Sequence, residues 1–260
     1  MEEVKEPLFD VLLTTHNRLE LTIEALNCLY AHTPTEVFNL YIIDDSEDLT
    51  PQYFESFCKT HPNCHYSHYK VGEIKNGNHS WQLGLEKSSS NIVVTLTNSA
   101  FVEHGWYEHA VSVLKENPKV GLVGIKLLYR NGIIWCAGIG FQNSLPYHFG
   151  AGEPGHHCTH MATVPAVNFC VGFFRREAIE KALDTETYLG WKGFEDTDVC
   201  LTIRKNGFKI IYCGFSSAYH LESPTRLQSN PDKLQFWKDY QENERRFLAK
   251  WQGSQLLTSL

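Results

Sequence analysis

The sequence predicts an α/β fold in which a mostly parallel central sheet is flanked by helices and followed by an irregular C-terminal half. Apolar, strand-like runs alternate with helix-like segments through residue 128. Three of those runs end in polar tips: Thr14–Arg18, Asp44–Ser46 and Thr97–Ser99. After residue 129 the alternation breaks into a Gly-, His- and Pro-rich stretch, and a long charged helix closes the chain.

Phe9–Thr14 is a β-rich apolar run, and Glu20–His32 places Leu19, Ile23, Leu26 and Tyr30 near one helical face. Phe38–Ile43 is the second strand, Pro51–Lys59 a helix and His65–Tyr69 a short strand. Ser80–Lys87 is helical, Ile92–Leu96 a strand, and Tyr107–Glu116 a helix stopped by Asn117-Pro118. Val120–Leu128 is the next strand. Residues 129–163 carry strand signals at Ile133–Ile139 and then read as a long loop or lid, "LPYHFGAGEPGHHCTHM". Val164–Arg175 is a strand, Glu195–Asn206 a helix ended by Gly207, and Phe208–Cys213 a strand. Pro231–Trp251 is an amphipathic helix that docks across the fold. Without repeats or a linker, residues 1–260 read as one domain: a half at 1–128, an irregular half at 129–230 and a terminal helix at 231–260.

The 260 residues suffice for a core without staples. A formal charge of −7 argues against nucleic-acid binding, which favours a basic surplus. None of the 8 cysteines forms a C-x-x-C pair, and Cys28, Cys136, Cys170, Cys200 and Cys213 sit in apolar runs as core fillers. The acidic N-terminus lacks a signal-peptide core, and no run is long and apolar enough to span a bilayer. A reducing, cytoplasmic setting is expected, with membrane-surface acceptors within reach.

Parallel strands align their carboxyl ends on one edge, where ligands bind in open α/β sheets. The three polar tips therefore make one crevice suited to a nucleotide. Asp45 can accept a pyrimidine ring N–H, with Thr14 beside it. Asp44, Asp45 and Asn17 also suit helix and turn caps. In "GWKGFEDTDVC", Glu195, Asp196 and Asp198 open a helix beside Trp191. Acids belong at a helix N-terminus, but crowded like charges also raise a carboxylate pKa toward that of a general base. Trp191 offers a ring face for a sugar. His156, His157, Cys158 and His160 make a rival zinc reading, though their spacing matches no common zinc pattern.

Together these motifs resemble the inverting glycosyltransferases of family two, which have a Rossmann-like GT-A fold. The resemblance runs from Phe9 to Ser223 through "LLTTHNR", "YIIDDSED", "NGNHSWQLGLEKSSSNIVVTLTNSAFVEHGW", "AVNFCVGFFRREAIEKAL", "GWKGFEDTDVCLTIRKNGFKIIYC" and "AYH". It implies transfer from a nucleotide-sugar donor, UDP- or dTDP-linked, to a glycan, glycolipid or glycoprotein acceptor. It assigns Thr14, Asn17, Arg18, Asp44, Asp45, Thr97, Asn98 and Ser99 to the donor, Asp196 to the general base, and Glu195 and Trp191 to the acceptor. His220 falls where some members ligate a metal. Ser99 stands where the family's metal-binding Asp is expected, and Thr97 where its first Asp or Asn stands. Hydroxyls are poor ligands for Mn²⁺ or Mg²⁺, so weak metal binding or none is expected. Lys192 or Arg226 would then face the leaving diphosphate, and "SPTRLQ" would close over it. The alternative reading is a catalytically silent nucleotide-sugar or glycan-binding module of the same fold.

Overall fold

The computed structural model describes residues 6–190, 192–221 and 233–258. The N-terminal elements are β1 (Phe9–Thr15), α1 (Leu19–His32), β2 (Phe38–Asp44), α2 (Thr50–Thr60), β3 (Cys64–His68), α3 (Gly77–Lys87) and β4 (Ile92–Thr97). The order continues with β5 (Ala100–Val102), α4 (Glu108–Glu116), β6 (Val120–Leu128), β7 (Ile134–Cys136), β8 (Ile139–Gln142), β9 (Leu145–His148) and β10 (Met161–Thr163). Then come β11 (Val171–Arg175), α5 (Arg176–Glu180), α6 (Glu195–Lys205), β12 (Lys209–His220) and α7 (Lys233–Trp251). The α/β expectation holds, with ends shifted by a residue or a few.

The main sheet runs β10-β12-β6-β11-β4-β1-β2-β3, with β5 on β12 and β7 on β6. β1, β2, β3 and β4 are parallel, as are β6 and β12, whereas β11 runs antiparallel between β4 and β6. Buried on both faces, the central strands are almost wholly apolar: Val11, Leu12, Leu13, Ile42, Val93 and Val94 have no accessible surface. The register pairs Thr14 with Ile43 and with Thr97, and Thr15 with Asp44. Three polar strand ends thus meet at one edge, as the alternation predicts.

Four departures have physical reasons. The buried stripe of α1 is Leu21, Thr22, Ala25, Leu26 and Leu29, shifted from the expected face because the helix packs two ways: Leu26 and Leu29 join the main core while Leu21 and Ala25 pack on Phe101 of β5. The expected strand Val164–Arg175 narrows to Val171–Arg175, since β11 pairs only where β4 and β6 flank it. The stretch read as a lid holds β9, which closes a hairpin with β8 just before it, and the start of β10. Its tip is set by Lys126, whose ammonium donates to the carbonyls of Gly155 (2.6 Å) and His157 (3.1 Å) and to Thr159 Oγ1 (3.2 Å). Finally, a disulfide joins Cys58 to Cys64 across the α2–β3 turn, unlike the thiols expected in a reducing setting, while the other six cysteines are thiols.

A second, smaller core forms where α7 packs on α6 through Phe194, Leu201, Phe247 and Trp251. Asp198, without accessible surface, accepts from the Trp251 indole N–H (2.5 Å) and the Lys250 ammonium (2.8 Å). Among the described residues no helix is long and apolar enough to cross a membrane.

Candidate active site

A cavity of about 740 Å³ opens along the carboxyl edge of the parallel strands. Its wall includes Thr14, Asp45, Thr97, Asn98 and Ser99 at one end, and Lys192, Glu195, Asp196 and His220 further along. The strand ends and the α6 N-terminus therefore share one space. Asn17, Arg18 and Asp44 are not on its wall. Trp191 and Arg226 lie outside the described residues, as does all of "SPTRLQ".

Asp44 explains its own absence. It has no accessible surface, and its carboxylate accepts from Thr15 Oγ1 (2.8 Å), Ser46 Oγ (2.5 Å), the Ser46 N–H (3.2 Å) and Tyr66 Oη (2.9 Å), with His68 Nδ1 at 3.2 Å. Burial, with the Asp44 charge beside it, pushes the Tyr66 hydroxyl far above the ordinary phenol range, so it stays a neutral donor. Asp44 is the knot of the strand edge, and Asp45, next in the chain, faces the cavity.

Asn17 and Arg18 form a corner. Both have left-handed backbones, with φ of 55° and 64°. The Asn17 N–H donates to Ser46 Oγ (2.6 Å), and its side-chain oxygen accepts from the N–H groups of Glu47 (2.8 Å) and Asp48 (3.2 Å). The corner locks the β1 tip to the β2 tip, and Arg18 pairs outward with Glu20.

His16, within the quoted "TTHNR" but not singled out there, is on the cavity wall, with Nδ1 at 2.9 Å from Asp45 Oδ1. That hydrogen bond, and the Asp45 charge with it, raises the His16 pKa above its ordinary value despite partial burial. Lys75 also lines the cavity and pairs with Glu186. Neither has a distinctive motif: a lone His or Lys in a loop gains meaning only from what folds beside it.

At the α6 end, Gly193 (φ 91°) and Phe194 (φ 75°) turn the chain into the helix through left-handed conformations. For Phe194 this is a sterically costly backbone, of the kind kept at functional turns. The turn delivers Glu195 and Asp196 to the wall. Asn168 Nδ2 donates to Asp196 Oδ2 (3.2 Å), and Asn168 Oδ1 is itself held by the Cys170 N–H (2.8 Å). Lys192 pairs with Asp239 of α7.

Between the two ends stands a chain of contacts. Thr97 Oγ1 lies 3.3 Å from Ser99 Oγ, which lies 3.3 Å from His220 Nε2, and Cys170 Sγ lies 3.1 Å from the same nitrogen. β5 and β12 pair Ala100 with His220, which sets this proximity. The donor set is one imidazole, one thiol and two hydroxyls. Mn²⁺ and Mg²⁺ take carboxylate, carbonyl and water oxygens, so these residues do not fit them. Among the described residues no group of three or more His, Cys, Asp or Glu side chains is placed to hold a metal ion, and His156, His157, Cys158 and His160 form no such group.

The chain resembles known proteins. The model of glycosyl transferase family 2 matches residues 10–163, more than half of its length and ending before α6. An uncharacterized protein of Sinorhizobium fredii, y4gI, is 23% identical over 243 residues, 87% of this chain. The chain spans only 26% of that relative. Among solved structures, GalNAc-T7 with UDP, GalNAc and Mn²⁺ superposes with a TM-score of 0.70 at 16% identity, over 94% of this chain and 48% of that one. TarS residues 1–349 of S. aureus with UDP-GlcNAc gives 0.64 at 16% identity, over 96% and 70%. The mannosyltransferase PcManGT of Pyrobaculum calidifontis, with GDP-Man and Mn²⁺, gives 0.60 at 16% identity, over 98% and 73%. At these identities the structural matches carry the GT-A fold.

Proposed function

The chain belongs to glycosyl transferase family 2, and from that premise we propose that it is an inverting transferase. It moves a sugar from a nucleoside diphosphate to an acceptor hydroxyl. The observation that carries the reading is the single cavity, which joins the Thr14–Asp45 strand edge to Asp196 at the start of α6.

In this reading the nucleobase lies against Thr14 and the His16–Asp45 pair. Asp45 Oδ1 is engaged by His16, so Oδ2 takes the ring N–H of a uracil or thymine. UDP- or dTDP-sugars are the expected donors. Thr97, Asn98 and Ser99 line the path of the diphosphate with hydroxyl, amide and backbone groups. Asp196 removes the proton of the acceptor hydroxyl, and Glu195 helps hold that acceptor. The oxygen attacks the anomeric carbon from the face opposite the diphosphate, the bond to the diphosphate breaks, and the configuration inverts. The departing charge needs donors in place beforehand, and the groups available on the wall are Lys75, Lys192 and His220. No step runs through a metal, because the strand-end donors do not suit one.

The test is a donor panel with proton NMR of the product anomer, run in Mn²⁺ and in chelator. UDP- or dTDP-sugars should transfer with inversion in both conditions. Asp196→Asn should lower the rate by roughly 10²–10⁴-fold while leaving nucleotide binding unchanged. A full rate in that variant would remove Asp196 from the base role. Nucleotide binding without transfer or hydrolysis would instead favour the silent binding module, a reading that Thr97 and Ser99, standing in place of acids, keep in view.

A further inference from the structure

The N-terminal turns of α7 hold an exposed aromatic surface that no step above uses. Phe236 and Tyr240 lie on the cavity wall. Trp237, between them in sequence, continues that wall outward: its ring sits 5.4 Å from Phe236 and 5.8 Å from Tyr240, edge to face with both. It remains 52% exposed, and Leu234 one turn earlier is 65% exposed.

This surface is fixed to the catalytic turn. Buried Asn243 accepts from the Leu189 N–H (2.8 Å) and donates to the carbonyls of Leu189 (3.1 Å) and Gly193 (3.4 Å). Arg246 donates to the Thr187 carbonyl (2.6 Å), and Lys192 pairs with Asp239. A Cβ on Gly193 would stand 3.3 Å from the Tyr240 ring, so helix and turn are in close contact. Whatever rests on Trp237 is therefore held in register with Glu195 and Asp196.

We propose that Trp237, with Leu234 beside it, is an acceptor subsite that stacks a pyranose ring at the cavity mouth. The proposal rests on the transferase reading above. Ring stacking needs a flat apolar face, and a sugar also needs hydrogen-bonding groups around it. The Trp237 ring supplies the face, and Tyr240, whose ring touches it, carries a hydroxyl on the cavity wall. The apolar part is two side chains among polar ones, too small for a stable protein interface and suited to one ring.

The test separates the two readings by using binding, not turnover. The full chain is probed, with UDP present, against immobilised oligosaccharides ending in gluco-, galacto- and manno-configured hexoses and in N-acetylhexosamines. UDP affinity is measured by calorimetry in parallel. Wild type should capture a subset of glycans. Trp237→Ala should lose about five-fold or more of that capture with UDP affinity unchanged, and Trp237→Phe should keep most of it. Equal capture by Trp237→Ala and wild type overturns the subsite. Failure of wild type to capture any glycan while it binds UDP also overturns it and leaves the transferase reading standing. Failure to bind any nucleotide takes down both.

Discussion

The two ends of the cavity are built by different physics. The strand-edge end is made by parallel pairing, with Thr14, Thr15, Asp44 and Thr97 in one register and the buried Asp44 carboxylate tying β1, β2 and β3 together. The α6 end is made by side chains reaching across long loops. Asp198 is bound by Lys250 and Trp251, 52 and 53 residues away, and Leu189 by Asn243, 54 residues away. The first end is part of the sheet. The second is a separate small core hung on it, with less holding it in place.

The widest gap between the ends should appear in stability. Asp44→Ala strands four donors, Thr15 Oγ1, Ser46 Oγ, the Ser46 N–H and Tyr66 Oη, at the edge of the sheet. Each unsatisfied donor is costly, and a loss of about 3–5 kcal/mol is expected in urea unfolding, with nucleotide binding lost as well. A loss below about 1 kcal/mol would mean that the strand edge does not depend on this knot.

Asp198→Ala strands chiefly the Trp251 indole N–H, because the Lys250 ammonium can reach water. About 2–3 kcal/mol is expected. The consequence should be local: faster amide exchange in α7 and in residues 184–193, with β1, β2 and β4 still protected. UDP affinity should survive while acceptor capture falls. If the sheet loosens in step with α7, the two ends are one cooperative unit and the contrast fails.

The same contrast decides what could be read in advance. The strand-edge end was legible because short continuous apolar runs announce strands buried on both faces, and parallel strands must bring their ends together. Thr14, Thr97, Ser99 and the Asp44–Asp45 pair are brought to that edge by this geometry. Which of two adjacent aspartates faces the cavity does not follow from it: alternation puts Asp44 and Asp45 on opposite sides without saying which side is inward. Asn17 and Arg18 carry no mark of their left-handed backbones. At the far end, the Glu195–Asp196 pair is conspicuous in the sequence, but Asn168, Lys75 and the α7 aromatics gain their positions from contacts tens of residues apart. An amphipathic helix such as α7 advertises a buried face, and nothing in its pattern says that one exposed Trp borders a cavity.

The smallest effect belongs to the His16–Asp45 pair, where the strand edge meets solvent. The hydrogen bond to Asp45 and the neighbouring Asp45 and Asp44 charges raise the His16 pKa above its ordinary 6.5. The unfolded chain has no such partner, so the folded state binds its proton more tightly. The pair's contribution is therefore fully present below the unfolded value of 6.5 and is lost as pH rises through the higher folded value. With the imidazole 42% exposed, water and salt screen most of the attraction. The advantage of wild type over His16→Asn should be only about 1–2 °C in melting temperature at pH 5.5, fading as the pH rises through the folded-state value. An advantage that is constant or grows with pH would mean that His16 acts as a neutral hydrogen-bonding ring. Asp45 would then be oriented for a nucleobase without help from charge, and nucleotide affinity should ignore the same titration.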